Sequence, residues 1–287
     1  MRPLIRVLFV VGLMSANSAV AQTNAGAVPL LVSTAWLQEH FNDPELVILY
    51  TDQGAHDEAL IPGARIVRHE SLMTMQGGHG LAPTGDLVDV LERAGVSNAS
   101  HVVVYGEPLS AGWLFFVLDH LGHARVSMLD GGILKWRAEE RPIARTPPAV
   151  ARGTFTPSAR PRAMATAADL PGRRDTGNAL ILDARTAGEY RAGHIPGAAL
   201  LTWQDVFADT RHLVFKSRDE IAALFRAAGA GRGPVVTYCQ IGLRSSALYF
   251  AARYAGFDAA NYVGSWSDWT ARGLPVDRSA PAPAAAR

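Results

Sequence analysis

Short apolar runs alternate with amphipathic segments along most of this chain, a pattern that predicts strands joined by helices. Residues 46–50 and 101–105 are apolar runs with β propensity. Between them, 87–94 has helical spacing with Gly95 as its stop, and 113–121 reads as another helix closed by Gly122. The alternation then resumes. Residues 180–183 and 235–238 are predicted strands, and 219–228 and 245–255 predicted helices. Strands that alternate with helices argue for βαβ units and a parallel sheet, an α/β fold.

The pattern also repeats itself. Val235-Val236-Thr237-Tyr238-Cys239 answers Val102-Val103-Val104-Tyr105-Gly106 at a spacing of 133 residues. Gly264, Trp269 and Pro275 follow Gly131, Trp136 and Pro142 at the same spacing, and Ile181-Leu182 answers Ile48-Leu49. Ile195-Pro196-Gly197-Ala198 follows Ile61-Pro62-Gly63-Ala64 at 134, a slip that a loop absorbs. Solenoid periods are only about 20 to 50 residues, so a repeat this long signals two domains of one fold. The first unit is placed at 28–143 and the second at 166–278. Pro147, Pro148, Pro157 and Pro161 mark 144–165 as an extended linker across the surface. The Ala/Pro-rich stretch 279–287 is expected to be a disordered tail.

Composition adds two constraints. Residues 1–21 read as a secretory signal peptide: Arg2 and Arg6 come first, then an apolar stretch from Val7 to Leu13, then Ala19-Val20-Ala21 as a small-x-small cleavage pattern. That stretch is too short to span a bilayer. Export, most simply to a bacterial periplasm, is the expectation, with no membrane association after cleavage. Losing Arg2 and Arg6 takes the formal charge from +1 to −1, so no basic field is available for nucleic acid. The second constraint is the single cysteine, Cys239. One cysteine forms no internal disulfide, and a lone thiol in an oxidising compartment risks oxidation and mispairing. Buried as a small hydrophobe it would be inert. Its surroundings point elsewhere.

Cys239-Gln240-Ile241-Gly242-Leu243-Arg244 lies between a buried strand and a predicted helix, at the strand end where parallel sheets bind ligands. A loop curled around the cysteine would aim amides near the helix N-terminus at its sulfur and favour the reactive anion. Gly242 permits the curl, and Arg244 brings a permanent cation.

At this loop the chain resembles the rhodanese family, sulfurtransferases that carry sulfur as a cysteine persulfide. The resemblance runs through Asp183-Ala184-Arg185, Glu189-Tyr190, Gly193-His194-Ile195-Pro196-Gly197-Ala198, Tyr238-Cys239 with its loop, and Gly264-Ser265-Trp266-Ser267-Asp268-Trp269. It implies two tandem rhodanese-like domains, each a parallel sheet flanked by helices, the first inactive and the second active. It implies a persulfide on Cys239, held by the amides of Gln240, Ile241, Gly242, Leu243 and Arg244, with no metal or organic cofactor. The small anionic sulfur donor would be thiosulfate and the acceptor cyanide, a thiol or a sulfur-accepting protein. Relatives that use 3-mercaptopyruvate usually carry a Cys-Gly-Ser-Gly-Val-Thr type loop, which is absent here.

Arg185 is a second candidate anion contact, with an ion-pair role as the alternative. Asp183 is read as a structural acceptor near the site, His194 as a turn-former, and Trp266 as a possible pocket wall. Nothing beside His79 makes it a metal ligand. The loop has two rival readings. Cysteine phosphatases place an arginine six positions after the cysteine, whereas position 245 is serine here. A non-enzymatic sulfur-relay protein is the other. The first unit's Gly106-Glu107-Pro108-Leu109-Ser110-Ala111 shows what a loop without that chemistry looks like, with no nucleophile and a proline that donates no amide.

Overall fold

The computed structural model describes residues 28–51, 59–74, 80–170 and 179–279. The expected signal peptide, His79 and all of the expected tail but Ser279 lie outside the described residues.

The first unit runs β1 (Leu31–Val32), α1 (Thr34–Glu39), β2 (Leu46–Thr51), β3 (Arg65–Ile66), β4 (Met73–Thr74), β5 (Gly80–Leu81), α2 (Thr84–Arg93), β6 (His101–Gly106), α3 (Pro108–His120), β7 (Val126–Leu129) and α4 (Gly132–Ala138). The second runs β8 (Met164–Ala165), β9 (Leu180–Asp183), α5 (Ala187–Ala192), β10 (Ala199–Leu200), β11 (Phe207–Asp209), β12 (Val214–Phe215), α6 (Arg218–Ala227), β13 (Val235–Tyr238), α7 (Leu243–Ala255), β14 (Ala259–Tyr262) and α8 (Ser265–Ala271). The sheets are five-stranded, in the orders β1-β7-β6-β2-β3 and β10-β9-β13-β14-β8. Every ladder within them is parallel. Read from opposite edges, the two orders are one topology. Each unit also carries a small antiparallel hairpin, β4–β5 or β11–β12.

Strand alternation builds three cores. In β6, Val103 and Tyr105 face a core private to the first unit, while Val102 and Val104 face a larger one shared by both units. In β13, Val236 and Tyr238 face the second unit's private core, and Val235 faces the shared one. Helices α3 and α7 occupy the shared core and are buried on nearly all sides. They approach closely because Gly112 has no side chain: a Cβ there would lie 3.0 Å from Ala247 N. Phe115 and Phe250 meet edge to face at 4.8 Å. At the far end, Asp119 accepts hydrogen bonds from Tyr249, Arg160 and Arg253, tying both units and the intervening segment together.

Two expectations need correction. The linker is narrower than 144–165, because its ends belong to the units. Ala144 bridges Leu60 of the first unit, and Met164–Ala165 forms the edge strand β8 beside β14. The stretch between is extended, and it is pinned to the first unit by bonds such as Ser158 N to Leu121 O and Gly153 N to Glu92 O. The helix after the cysteine begins at Leu243, not Ser245, so Leu243 and Arg244 are helical and the loop is shorter than read. The sequence carries no Ser, Thr, Asp or Asn cap there; Gly242 in a left-handed conformation serves instead.

Candidate active site

Cys239 follows β13 directly, and continued alternation turns its side chain into the core between the units, where it is 1% exposed. Gly242 makes the turn that closes the loop. Its φ of +91° lets its amide donate to Cys239 Sγ at 3.2 Å. A Cβ on Gly242 would lie 2.7 Å from Val263 O and 3.0 Å from Trp113 Cζ3, so the turn is reserved for glycine. Trp113 belongs to the first unit, which therefore supports the loop across the interface. Leu243 and Arg244 open a 13-residue helix, whose first amides lack intrahelical acceptors and carry partial positive charge.

A buried polar network holds the loop from below. Thr237 Oγ1 donates to Ser245 O at 3.0 Å, and Ser245 Oγ to Asn261 Oδ1 at 2.7 Å. Asn261 Nδ2 in turn donates to Gly242 O at 3.2 Å. From the other side Ser265 Oγ accepts from the Cys239 amide at 3.1 Å and donates to Tyr262 O at 2.7 Å. Ser265 does this at φ +53°, a left-handed conformation that costs a side-chain-bearing residue about 1–2 kcal/mol. Its hydroxyl bonds accompany that strain. Thr237, Ser245, Asn261 and Ser265 are not among the candidate site residues of the sequence reading, although the repeat carried a signal. The positions 133 earlier for Thr237, Asn261 and Ser265 are Val104, Met128 and Gly132.

Arg244 reaches Glu189 on α5 with two parallel bonds, Nη1 to Oε2 at 2.8 Å and Nη2 to Oε1 at 2.7 Å. The guanidinium lowers the Glu189 carboxyl to about 2. The Arg244 pKa is raised, first by Glu189 and further by the nearby Cys239 sulfur. Glu189 also completes a capping box with Thr186 at the start of α5. Gln240 is tied to α8, its Nε2 donating to Ser267 Oγ at 3.0 Å and its carbonyl accepting from Ser267 N at 3.1 Å. Ile241 is half-buried between Gln240 and the turn.

Arg185 takes the ion-pair role, the alternative to an anion contact. It is 2% exposed, and its Nε and Nη2 are committed to Asp183, with Nη2 also donating to Gly193 O at 2.7 Å. Its guanidinium lies 4.5 Å from the Trp266 ring, so Trp266 is engaged with Arg185. Asp183 accepts from the Arg185 amide at 2.9 Å and from Tyr238 Oη at 2.6 Å. His194 stacks on Tyr190 at 3.7 Å, its Nδ1 lying 3.0 Å from Tyr190 O. Thus Gly242 and Arg244 meet the Cys239 sulfur, Gln240 turns to Ser267, and Asp183, Arg185 and His194 are buried nearby with Trp266 half-buried over Arg185.

The first unit offers no counterpart. Gly106 stands at the cysteine position, and a Cβ there would lie 1.8 Å from Thr51 O. The pocket beside it has about 30 Å³ of room, enough for a water or two, between Pro108, Met128 and Ile133 and the second unit's Phe207, Leu213 and Phe215.

Comparison with known proteins identifies the family. The family model described as a rhodanese-like domain matches residues 33–139 and again 166–272. A thiosulfate sulfurtransferase of Azotobacter vinelandii is 32% identical over 85% of this chain and 94% of its own. The sulfur carrier protein TtuD of Thermus thermophilus is 30% identical over 86% and 96%. The crystal structure of SseA from Escherichia coli, a 3-mercaptopyruvate sulfotransferase, superposes with a TM-score of 0.74 at 25% identity, covering 83% of this chain and 99% of that one. With two rhodanese-like domains in tandem, the chain belongs to the rhodanese family of sulfurtransferases.

Proposed function

We propose that the second unit moves sulfane sulfur from thiosulfate to cyanide or a thiol through a persulfide on Cys239. The observation that carries this reading is the Cys239 sulfur at the N-terminus of α7, bonded by the Gly242 amide and beside the Arg244 cation. In the first step the thiolate attacks the outer sulfur of thiosulfate. A new S–S bond forms on Cys239 as the donor's own S–S bond breaks, and its electron pair leaves on sulfite. In the second step cyanide or a thiolate attacks the terminal persulfide sulfur, which returns Cys239 to its thiolate. Division into two displacements gives ping-pong kinetics. The Gly242 amide and the helix end are fixed before either step, so they stabilise charge on sulfur without reorganising. Both steps balance without a metal or an organic cofactor.

Two other readings have support of their own. Structural likeness to SseA favours 3-mercaptopyruvate as donor. Similarity to TtuD favours delivery of the sulfur to a protein acceptor. The amino-terminal pattern supports export to the periplasm, which cell fractionation and sequencing of the mature N-terminus after Ala21 would test.

Incubation with thiosulfate should add one sulfur mass to the protein, and cyanide should remove it. Cys239→Ser should gain no sulfur and lose turnover. Full turnover by that variant would refute the persulfide mechanism. Rates with thiosulfate and 3-mercaptopyruvate, measured side by side, decide the donor.

A further inference from the structure

Glu189 is bound more tightly to Arg244 than its place in α5 requires. A capping box is satisfied by glutamate or glutamine. Here Oε2 accepts from Thr186 N at 3.0 Å and Thr186 Oγ1 at 2.8 Å, while both carboxylate oxygens also meet Arg244. The Arg244 and Glu189 side chains are only 21% and 33% exposed, so water screens them partially. Other charged groups at this end of the second sheet are also paired. Asp183 pairs with Arg185, and Asp268 with Arg272 and Tyr262. The repeat isolates the pair as well, for the positions 133 before Glu189 and Arg244 are His56 and Ala111, in the unit that lacks the cysteine.

We propose that Glu189, acting through Arg244, sets the charge selectivity of the sulfur site: its carboxylate offsets the guanidinium beside Cys239 and so limits the preference for anionic over uncharged reactants. It is a positioning residue, since it meets the reacting sulfur only through Arg244. A site with a bare guanidinium would hold a dianionic donor and its sulfite product more firmly. A compensated one lets the anion enter and leave.

Cys239 is the sole cysteine, so alkylation reads this site alone. Iodoacetate and iodoacetamide differ mainly in charge, and the ratio of their rates reports the local field independently of how much thiolate is present. Glu189→Gln keeps the cap and removes the charge. The iodoacetate-to-iodoacetamide ratio should rise by about tenfold, within the range that local charge gives to anion encounter. The Arg244→Gln variant should lower the ratio, because the cation is gone and the Glu189 carboxylate remains. Glu189→Asp restores the charge and should bring the ratio back towards wild type, a rescue that a capping role does not predict. A ratio within about twofold of wild type in Glu189→Gln, or no fall in Arg244→Gln, overturns the proposal. A donor arm rests on the thiosulfate reading above: KM for thiosulfate should fall in Glu189→Gln while kcat does not rise. Because alkylation needs no donor, failure of that reading leaves the alkylation test intact.

Discussion

The two units share their scaffold down to single hydrogen bonds, and they part company at one strand end. Trp136 Nε1 donates to Pro142 O at 2.7 Å, and Trp269 Nε1 to Pro275 O at 2.8 Å. Tyr105 Oη accepts from Ile61 N, and Tyr238 Oη from Ile195 N. Around the cysteine loop, Thr237 and Asn261 bond on one side and Ser265 on the other, where the first unit has Val104, Met128 and Gly132. The loop itself differs in length. Strands β6 and β13 keep the spacing of 133, but α3 and α7 start at Pro108 and Leu243, which are 135 apart. Two additional residues before the helix in the second unit make room for the curl around the sulfur. The difference between the units is therefore distributed: the first lacks the cysteine, the loop length and the polar support together.

The strongest way to break this comparison is to arm the first unit. Gly106→Cys in a Cys239→Ser background should gain no sulfur from thiosulfate. It should also lower unfolding free energy by about 4 kcal/mol or more, because the new Cβ would lie 1.8 Å from Thr51 O and the backbone must move. Mass spectrometry after thiosulfate treatment and urea unfolding measure both. A protein of wild-type stability that acquires sulfur would show that the nucleophile alone separates the units.

A smaller change approaches from the other side, by making the second unit resemble the first at one residue. Ser265→Gly reproduces Gly132, whose φ of +49° is close to the +53° of Ser265. Relief of left-handed strain, about 1–2 kcal/mol, offsets the loss of two hydrogen bonds at about 1 kcal/mol each. Stability should hold within about 1 kcal/mol. Sulfur transfer should nevertheless fall by about 10- to 100-fold, because the Cys239 amide loses its acceptor and the sulfur its fixed position. If kcat/KM stays at the wild-type value in that variant, Ser265 belongs to the fold and not to the site.

Much of this was legible before any coordinates, for identifiable reasons. Apolar runs of the right length announced β2, β6, β9 and β13, and the 133-residue spacing announced a duplicated sheet. The loop residues stood out because chain neighbours converge on their own helix end. Contacts between distant residues were not legible in that way. Glu189 lay within a quoted motif, but its pairing with Arg244 spans 55 positions and depends on how α5 meets α7. Arg185 carried the right charge in the right segment, yet its burial beneath Trp266 is a packing outcome. Trp113 supports Gly242 from the other unit, which only the docking of α3 on α7 reveals.

The mildest expected effect separates the units by acid. In the first unit, burial lowers His101 to about 4 and also lowers His120 and His123. Such groups stay neutral in the folded state, whereas in the unfolded chain they take up protons near pH 6.5. Between about pH 6.5 and 4 the unfolded state therefore binds more protons, and stability falls as the pH falls. Above that window the contribution is fully present. Described histidines of the second unit are placed differently: His212 Nδ1 lies 2.7 Å from Asp209, and His194 Nε2 lies 3.7 Å from Asp277. Lowering the pH from 7 to 5 should thus cost the first unit about 1–3 kcal/mol and the second less. Hydrogen exchange, corrected for its intrinsic pH dependence, should show β6 and α3 losing protection ahead of β13 and α7. His101→Gln should flatten that dependence, since it removes the group with the largest shift while leaving a polar partner for Ser127. Equal loss of protection in both units would mean that the shared core couples them too tightly for either to open alone. The first unit would then act as half of one cooperative body, and its support of Gly242 through Trp113 would last as long as the fold itself.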